Sequence, residues 1–522
     1  MLLLLLACHP DPVDLPPVDS GVVVGEGLFQ GGCPTAGQAA ARELTDVEEV
    51  PWGPDALAAP GDVLLLNEKA AFVIQAPALV GDAGAAQGGP YSPRTYVHYG
   101  GTPIDAVAVD GCDQAGPEVL GETAFIIGQL DLVDFETSSL HMFRGDTIEV
   151  VNDGSDGEAA VVEVRGTDDR FWLIELTLMR RVFEGGGRKL LGDLYGLDVT
   201  VRYTLEPGDS ALQIEVELGG EPVTDGFLTG AVVFPPDGME TTAWASGELS
   251  LGGVNLATGV PWVGSGTATG STAIAMPGAA MAQTEIAGVT ALLDVNHAVT
   301  PLMVADGDAT TNFALSVGPT DAASAAAGLE AHLDDPVPGR DIVWIDVEGT
   351  VQDPPGSAVV GASIDLWCPD DAGNRGTLTT FVSGADGSFA GRSLNLGGCA
   401  LQARQDGRDA GDAVELPDVS GTPATWASGA IGIGPLGGIV VAATDGEGTA
   451  LPVRIELERD DGTVIVDYPT PAQPNVAVPP GHWTAWLTRG YEYEPATIEV
   501  DVPDDGVADV VVEMAHVIDT TG

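Results

Sequence analysis

The sequence predicts an all-β chain built from several modules, and three observations carry that prediction. Its 522 residues include 71 Gly and 37 Pro with only 6% aromatics, the composition of strands punctuated by turns. Apolar and polar residues alternate in runs such as LDVTVRYTL (197–205) and ALQIEVEL (211–218), the two-residue period of half-buried strands. Between such runs stand clusters of Asp, Asn, Gly and Pro, the residues that reverse a chain. Acidic residues number 78 against 19 basic, for a net charge of -59. Lys69 and Lys189 are the only lysines. Such a field repels phosphates, which excludes nucleic acid as a partner. The acid is spread over turns and alternate strand positions, as on a solvated surface. No cofactor is expected, Ca²⁺ being the one ion such a surface brings into consideration. No run of about 18 apolar residues is present, so no spanning helix is expected.

The first element is MLLLLLACHPDP, in which Leu5-Leu6-Ala7 precede Cys8. It resembles the lipobox of bacterial lipoproteins. The resemblance implies a signal over 1–8, lipidation of Cys8, export, and attachment to the cell envelope through the lipid alone. The same residues also read as an ordinary apolar stretch behind a mis-assigned start, because no basic residue precedes them. DPVDLPPVDSG follows as a tether within 9–44. Four cysteines remain, and pairing within domains, Cys33 with Cys112 and Cys368 with Cys399, is the simplest of three connectivities. Disulfides suit an exported protein.

Next comes a domain expected over 45–335. In GDVLLLNEKAAFVIQAP two apolar runs flank Asn67-Glu68-Lys69, the pattern of a hairpin. DTIEVVNDGSDGEAAVVEVRGTDD and LDVTVRYTLEPGDSALQIEVEL repeat it. In the latter, Val199, Val201 and Tyr203 face one way and Thr200, Arg202 and Thr204 the other, so these sheets are expected to have one wet face. TDAASAAAGLEAHLDD is the best helix candidate, with Asp321 as cap and Pro336 as stop. DPVPGRD reads as a linker. The domain is too long for one simple sandwich of about 100 residues. Its runs resemble a large β-domain at the front of some bacterial envelope lipoproteins, and the late strand pair resembles the β-supersandwich of galactose-mutarotase-like proteins. That resemblance implies the fold and an affinity for sugars.

WIDVEGTVQDPPGSAVVGASIDLWCPD and TTFVSGADGSFAGRSLNLGGCALQARQDGR, within 343–420, resemble the carboxypeptidase regulatory-like β-sandwich. The matching residues are Gly349-Thr350-Val351, Gly361-Ala362, Ile364-Asp365-Leu366 and Ala385 to Phe389. Where that family has a Pro-Gly-x-Tyr turn, LGGCAL stands instead, with Cys399 placed to fasten its strand to Cys368. The pattern recurs over 434–516, where Gly438-Ile439-Val440 and Ile455-Glu456-Leu457 are followed by a Pro-Gly-x-aromatic turn in VPPGHWTAWLTRG. The expectation is a large β-supersandwich-like domain followed by two small Ig-like sandwiches. The last stretch, with Arg489-Gly490-Tyr491-Glu492-Tyr493 and Asp519-Thr520-Thr521-Gly522, resembles the segment that precedes a polymerase-and-histidinol-phosphatase (PHP) metallohydrolase domain in a group of secreted proteins. The resemblance implies a catalytic neighbour and transfers no catalytic residue, because the chain contains no His-x-His.

Candidate chemistry is sparse. His98 near Asp105, Asp110 and Asp113 has metal-binding residue types without a recognised spacing, and structure is the better explanation. His141 and His297 are isolated, although a mutarotase-type mechanism would pair such a His with a carboxylate. FEGGGRKLLG lacks the elements of a phosphate loop, and no Ser lies in Gly-x-Ser-x-Gly. DGSDGE and DGDAT read as plain turns. Trp483, Trp486, Tyr491 and Tyr493 suit a sugar ring or a protein partner, while alternation grouping them in pairs on one face suits a sandwich core. The sequence therefore points to a non-catalytic envelope lipoprotein that binds or positions a polysaccharide or protein; the alternative is the accessory front of a PHP-type hydrolase.

Overall fold

The computed structural model describes residues 23–24, 34–45, 56–77, 99–110, 114–129, 139–170, 194–219, 228–234, 241–242, 257–266, 269–278, 281–286, 289–294, 309–333, 341–369, 373 and 375–517. Strands dominate these residues, which are all-β apart from one short helix and brief 3-10 turns. It divides into two compact units, one drawn from 1–240, 269–272 and 297–320, the other from 241–268, 273–296 and 321–522.

In the first unit a six-stranded sheet runs Val23–Val24, Gln114–Ala115, Pro103–Asp110, Ala70–Ile74, Val63–Leu66, Ala40–Glu43. The hairpin around Asn67-Glu68-Lys69 is present, with Leu66 opposite Ala71. The expectation of one wet face fails for it, since every residue of both strands is buried. Asn67 makes that burial tolerable. Its carbonyl accepts the Lys69 and Ala70 N–H groups, and its amide donates to Glu206 O at 2.9 Å and Asp209 O at 2.7 Å. All its polar capacity is used, so the buried amide carries no desolvation penalty of about 1–3 kcal/mol. A second run of neighbouring strands is Ala309–Gly318, Ala211–Gly219, Asp198–Leu205, Ala160–Arg170, Ser139–Asn152, Glu122–Gln129, Leu228–Phe234. Here alternation holds, with Val199, Val201 and Tyr203 buried and Thr200, Arg202 and Thr204 partly exposed. The two sheets meet backbone to backbone at Gly145, whose N–H donates to Gly100 O at 2.9 Å. A Cβ there would lie 2.8 Å from that oxygen, so no other residue permits the approach.

In the second unit the helix covers only Ala322–Gly328, followed by a 3-10 turn at Glu330–His332. It ends at Gly328, earlier than expected; Pro336 and all of the DPVPGRD linker but its last residue lie outside the described residues. Asp321 stands at the N-cap position, and its carboxylate accepts the Val382 N–H at 2.9 Å. Arg392 ties the 3-10 turn to the sheet through Glu330 (2.7 Å) and Asp346 (2.8 Å). Trp262, fully buried, stacks on Trp344 at 5.6 Å and donates its indole N–H to Leu378 O at 3.1 Å. These contacts pack the helix and the 3-10 turn onto the first small sandwich.

Two sandwiches of one topology follow. The first pairs a three-stranded sheet (Ser388–Asn395, Val343–Gln352, Thr425–Gly432) with a four-stranded one (Arg375–Val382, Ser363–Pro369, Ala400–Arg404, Val414–Glu415). The second repeats this with Asn475–Ala477, Gly437–Asp445, Gly506–Met514 and with Val464–Asp467, Arg454–Arg459, Gly481–Thr488, Ala496–Val502. In each, one edge strand of the three-stranded sheet runs parallel to the central strand, Thr425–Gly432 to Val343–Gln352 and Gly506–Met514 to Gly437–Asp445. That parallel strand carries the first sandwich past residue 420, to Gly432. Phe389 is buried against Phe381 at 5.8 Å. Cys368 and Cys399 form a disulfide between neighbouring strands, one step beyond the Trp367–Ala400 pair.

Candidate binding face

Strand Gly481–Thr488 alternates between two environments. Trp483, Ala485 and Leu487 are buried in the core of the second sandwich, with Ile455, Leu457 and Val510. His482, Thr484, Trp486 and Thr488 point outward. Trp483 and Trp486 are three residues apart, an odd step on a pleat, so they face opposite ways. This corrects the expectation that the aromatics pair on one face. Trp483 donates its indole N–H to Pro479 O at 2.9 Å and belongs to the core. Tyr493 packs against the core's edge and on His516, 5.0 Å between rings. Tyr491 is 93% exposed. Of the four aromatics, only Trp486 lies on the open face of the four-stranded sheet.

The strand register fixes its surroundings. Glu456 and Thr497 lie directly opposite Trp486 on the two flanking strands, and Val466 lies opposite Glu456. One row along stand Val464, Glu458, Thr484 and Glu499. Val464 and Val466 are exposed. The face is therefore a half-buried indole among threonine hydroxyls, carboxylates and an apolar edge.

Several of those carboxylates are already partnered. Arg454 bonds Glu456 at 2.7 Å. His482 is held between Asp501, 2.7 Å from Nδ1, and Glu499, 3.1 Å from Nε2. When protonated, an imidazole facing a carboxylate on each nitrogen donates from both. The Asp501 bond does most to raise its pKa above the usual histidine value; desolvation opposes it, and the charges of Asp501, Glu499 and Asp460 add to the rise. Thr484 donates to Glu499 at 3.1 Å.

The other sequence candidates lead elsewhere. His141 and Asp168 are brought together, 2.7 Å apart and both buried. Asp168 also accepts the Tyr195 and Leu197 N–H groups at 2.8 Å each. Burial works to raise its pKa, but the His141 bond and the two N–H groups outweigh that and hold it low. Closed from solvent, the pair knits strand Ser139–Asn152 to the segment entering Asp198–Leu205. Asp105 is buried and Asp110 exposed, on opposite faces of one strand, so these two carboxylates do not share a site; His98 and Asp113 lie outside the described residues. Asp105 accepts the Leu57 N–H at 2.7 Å, while burial first and Asp105 second push the Glu118 carboxyl well up. In the DGSDGE turn, the oxygens of Asn152, Asp153 and Asp156 accept backbone N–H groups of Gly154, Ser155 and Glu158. Among the described residues, no group of three His, Cys, Asp or Glu is placed to hold a metal ion. Cys8, Cys33, Cys112, His297 and FEGGGRKLLG, and all of DGDAT but its last two residues, lie outside the described residues.

No family model and no curated protein matches the chain. Solved structures similar to it include a glycosyl hydrolase family 38 protein from Enterococcus faecalis (TM-score 0.32, 10% identity, 74% of this chain and 42% of that one). An α-mannosidase from E. faecalis V583 matches at TM-score 0.31 and 11% identity, over 55% of this chain and 30% of that one. A point mutant of the shaft pilin SpaA of Lactobacillus rhamnosus GG matches at TM-score 0.18 and 9% identity, over 34% of this chain and 99% of the pilin. The chain thus spans less than half of either hydrolase, and no activity is carried over from them.

Proposed function

We propose that this chain is a non-catalytic protein of the bacterial cell envelope, held by a lipid on Cys8, whose last sandwich binds a neutral polysaccharide. The observation that carries the reading is Trp486, an outward indole on the open face of the four-stranded sheet with Thr484, Thr488 and Thr497 around it. A sugar ring stacks its C–H face on an indole while hydroxyls and carboxylates bond its edge. Glu456, Glu499 and Asp501 are engaged by Arg454 and His482, which lessens their pull on a cationic partner. The net charge of -59 disfavours an anionic polymer. The Leu-Leu-Ala-Cys start supports export, and a formed Cys368–Cys399 bridge suits an oxidising compartment.

The test is binding of the purified chain to an array of neutral and anionic glycans. Neutral glycans are expected to bind, and Trp486→Ala to lose at least about tenfold in affinity, the scale of a buried aromatic anchor. Tyr491→Ala, off the face, is expected to bind as wild type does. Binding confined to anionic glycans, no glycan bound, or an undiminished Trp486→Ala would each overturn the reading.

A further inference from the structure

The connection between the two small sandwiches is Ile433-Gly434-Pro435-Leu436. Every backbone N–H it possesses is bonded. Ile433 donates to Gln352 O at 3.0 Å and Gly434 to Asp409 O at 3.0 Å, both in the first sandwich. Leu436 donates to the Asp505 carboxylate at 3.1 Å, in the second. Pro435 has no N–H and a fixed φ. The sandwiches also bond each other directly. Gly437, which opens the second, donates to Gly407 O of the first at 2.8 Å.

Side chains close the joint from both sides. Arg408 of the first sandwich donates to Gly434 O at 2.8 Å. Arg459 of the second bonds Asp409 at 2.7 Å and Asp461 at 2.7 Å, with its guanidinium over the buried Trp483 ring at 5.3 Å. Gly407 has φ +78, and a Cβ there would meet Gly437 O at 2.8 Å and Leu436 Cδ1 at 3.0 Å. The backbones approach as closely as they do because that position is glycine.

A flexible linker leaves its N–H groups to water and its neighbours free to reorient. This one does neither. We infer that residues 341–517 act as a rigid spacer, two sandwiches locked end to end, which presents whatever the last sandwich carries at a fixed distance and orientation from the first. The inference stands on the joint alone and does not depend on the binding role of Trp486.

Spin labels introduced as non-canonical residues at Val360 and Val507, 55% and 61% exposed in the first and second sandwich, measure the consequence in the full-length chain. A single narrow distance peak is expected for the wild type. Arg459→Ala combined with Asp409→Ala is expected to lose that narrow peak to a broad distribution. In parallel, the amides of Gly434, Leu436 and Gly437 are expected to exchange at least about a hundredfold slower than free peptide amides, as bonded amides in structured segments do. A broad distribution in the wild type, or unprotected amides at the joint, would overturn the inference even if the double variant failed to fold.

Discussion

Removing the Cys368–Cys399 bridge probes how much the first sandwich depends on it. The perturbation is the double substitution Cys368→Ala and Cys399→Ala, which leaves no stray thiol. The two residues are 31 apart in sequence. Closing a loop of that length in the unfolded chain costs about 12 cal/mol/K, or about 3.7 kcal/mol at 25 °C, in the chain-entropy treatment. Both cysteines are fully buried, so loss of the sulfurs adds a small packing penalty in the same direction. A chain of several modules does not unfold in one step, and a single melting curve would not isolate the effect. Hydrogen exchange resolves it. Core amides of strands Ser363–Pro369 and Ala400–Arg404 are expected to exchange about 500-fold faster in the variant, the rate equivalent of about 3.7 kcal/mol. Amides of Ile455, Leu457 and Ala485 in the second sandwich serve as reference within the same sample. An acceleration of less than about tenfold would refute the reasoning, because the bridge would then be holding residues that the sheet already holds.

Two further outcomes follow from the charged groups. Burial pushes the Asp321 carboxyl from 3.8 up to about 6, against the opposing bonds from Val382, Ser324 and Ala323. An acid raised in the folded state costs nothing below its unfolded pKa and its full penalty above the folded one. Asp321→Asn, which keeps the acceptor for Val382, is thus expected to stabilise by up to about 3 kcal/mol above about pH 6 and not at all below about pH 4. Hydrogen exchange of the core amides of strand Arg375–Val382, compared between variant and wild type at about pH 4 and about pH 8, checks it; faster exchange in the variant at about pH 8 would contradict the sign. On the open face, the raised pKa of His482 means that its clamp between Asp501 and Glu499 is complete at low pH and lost as pH rises through the folded value. Asp501→Asn is expected to lower that pKa, read by the His482 ring protons in an NMR titration; an unchanged value would show that the clamp does not hold the charge.

The fold is legible wherever alternation and turn residues agree. The Asn67 and Glu206–Asp209 turns, the Val199-Val201-Tyr203 face and the tandem sandwiches are local patterns, and the structure carries each of them. The bridge between Cys368 and Cys399 is legible because the two cysteines fall in one module. Long-range burial is not. Nothing in VLLL or AAFVI tells a strand wet on one side from one covered on both; the covering comes from segments far away in sequence. The helix is shorter than its pattern suggests, giving way after Gly328 to a 3-10 turn at Glu330–His332. The sidedness of Trp486 runs against expectation although its signal is present: in GHWTAWLT the two indoles are an odd number of residues apart. Its neighbours Arg454 and Glu499 cannot be assigned without the register.

The placement of arginine ties these features together. With 19 basic residues against 78 acidic, cations are too few to neutralise the surface, and among the described arginines of the second unit three, Arg392, Arg408 and Arg459, stand at joints. Arg392 fastens the 3-10 turn to the first sandwich, Arg408 and Arg459 fasten the first sandwich to the second, and Arg404 bonds the buried Asp365 within the first. Arg489 donates to Pro452 O at 2.7 Å and lies over Tyr493 at 6.0 Å. Each of these guanidiniums meets a carboxylate, a carbonyl or a ring face, and several meet two partners at once, which a planar fork allows and a lysine ammonium does not. Only two lysines are present in the whole chain. A strongly acidic surface pulls every cation toward the nearest carboxylate, so a cation that specifies one joint must be distinguished by geometry more than by charge. Arginine supplies that geometry, and Arg408 and Arg459 at the joint give the stiffness inferred for the tandem a chemical basis beyond the hydrogen bonds of the connecting segment.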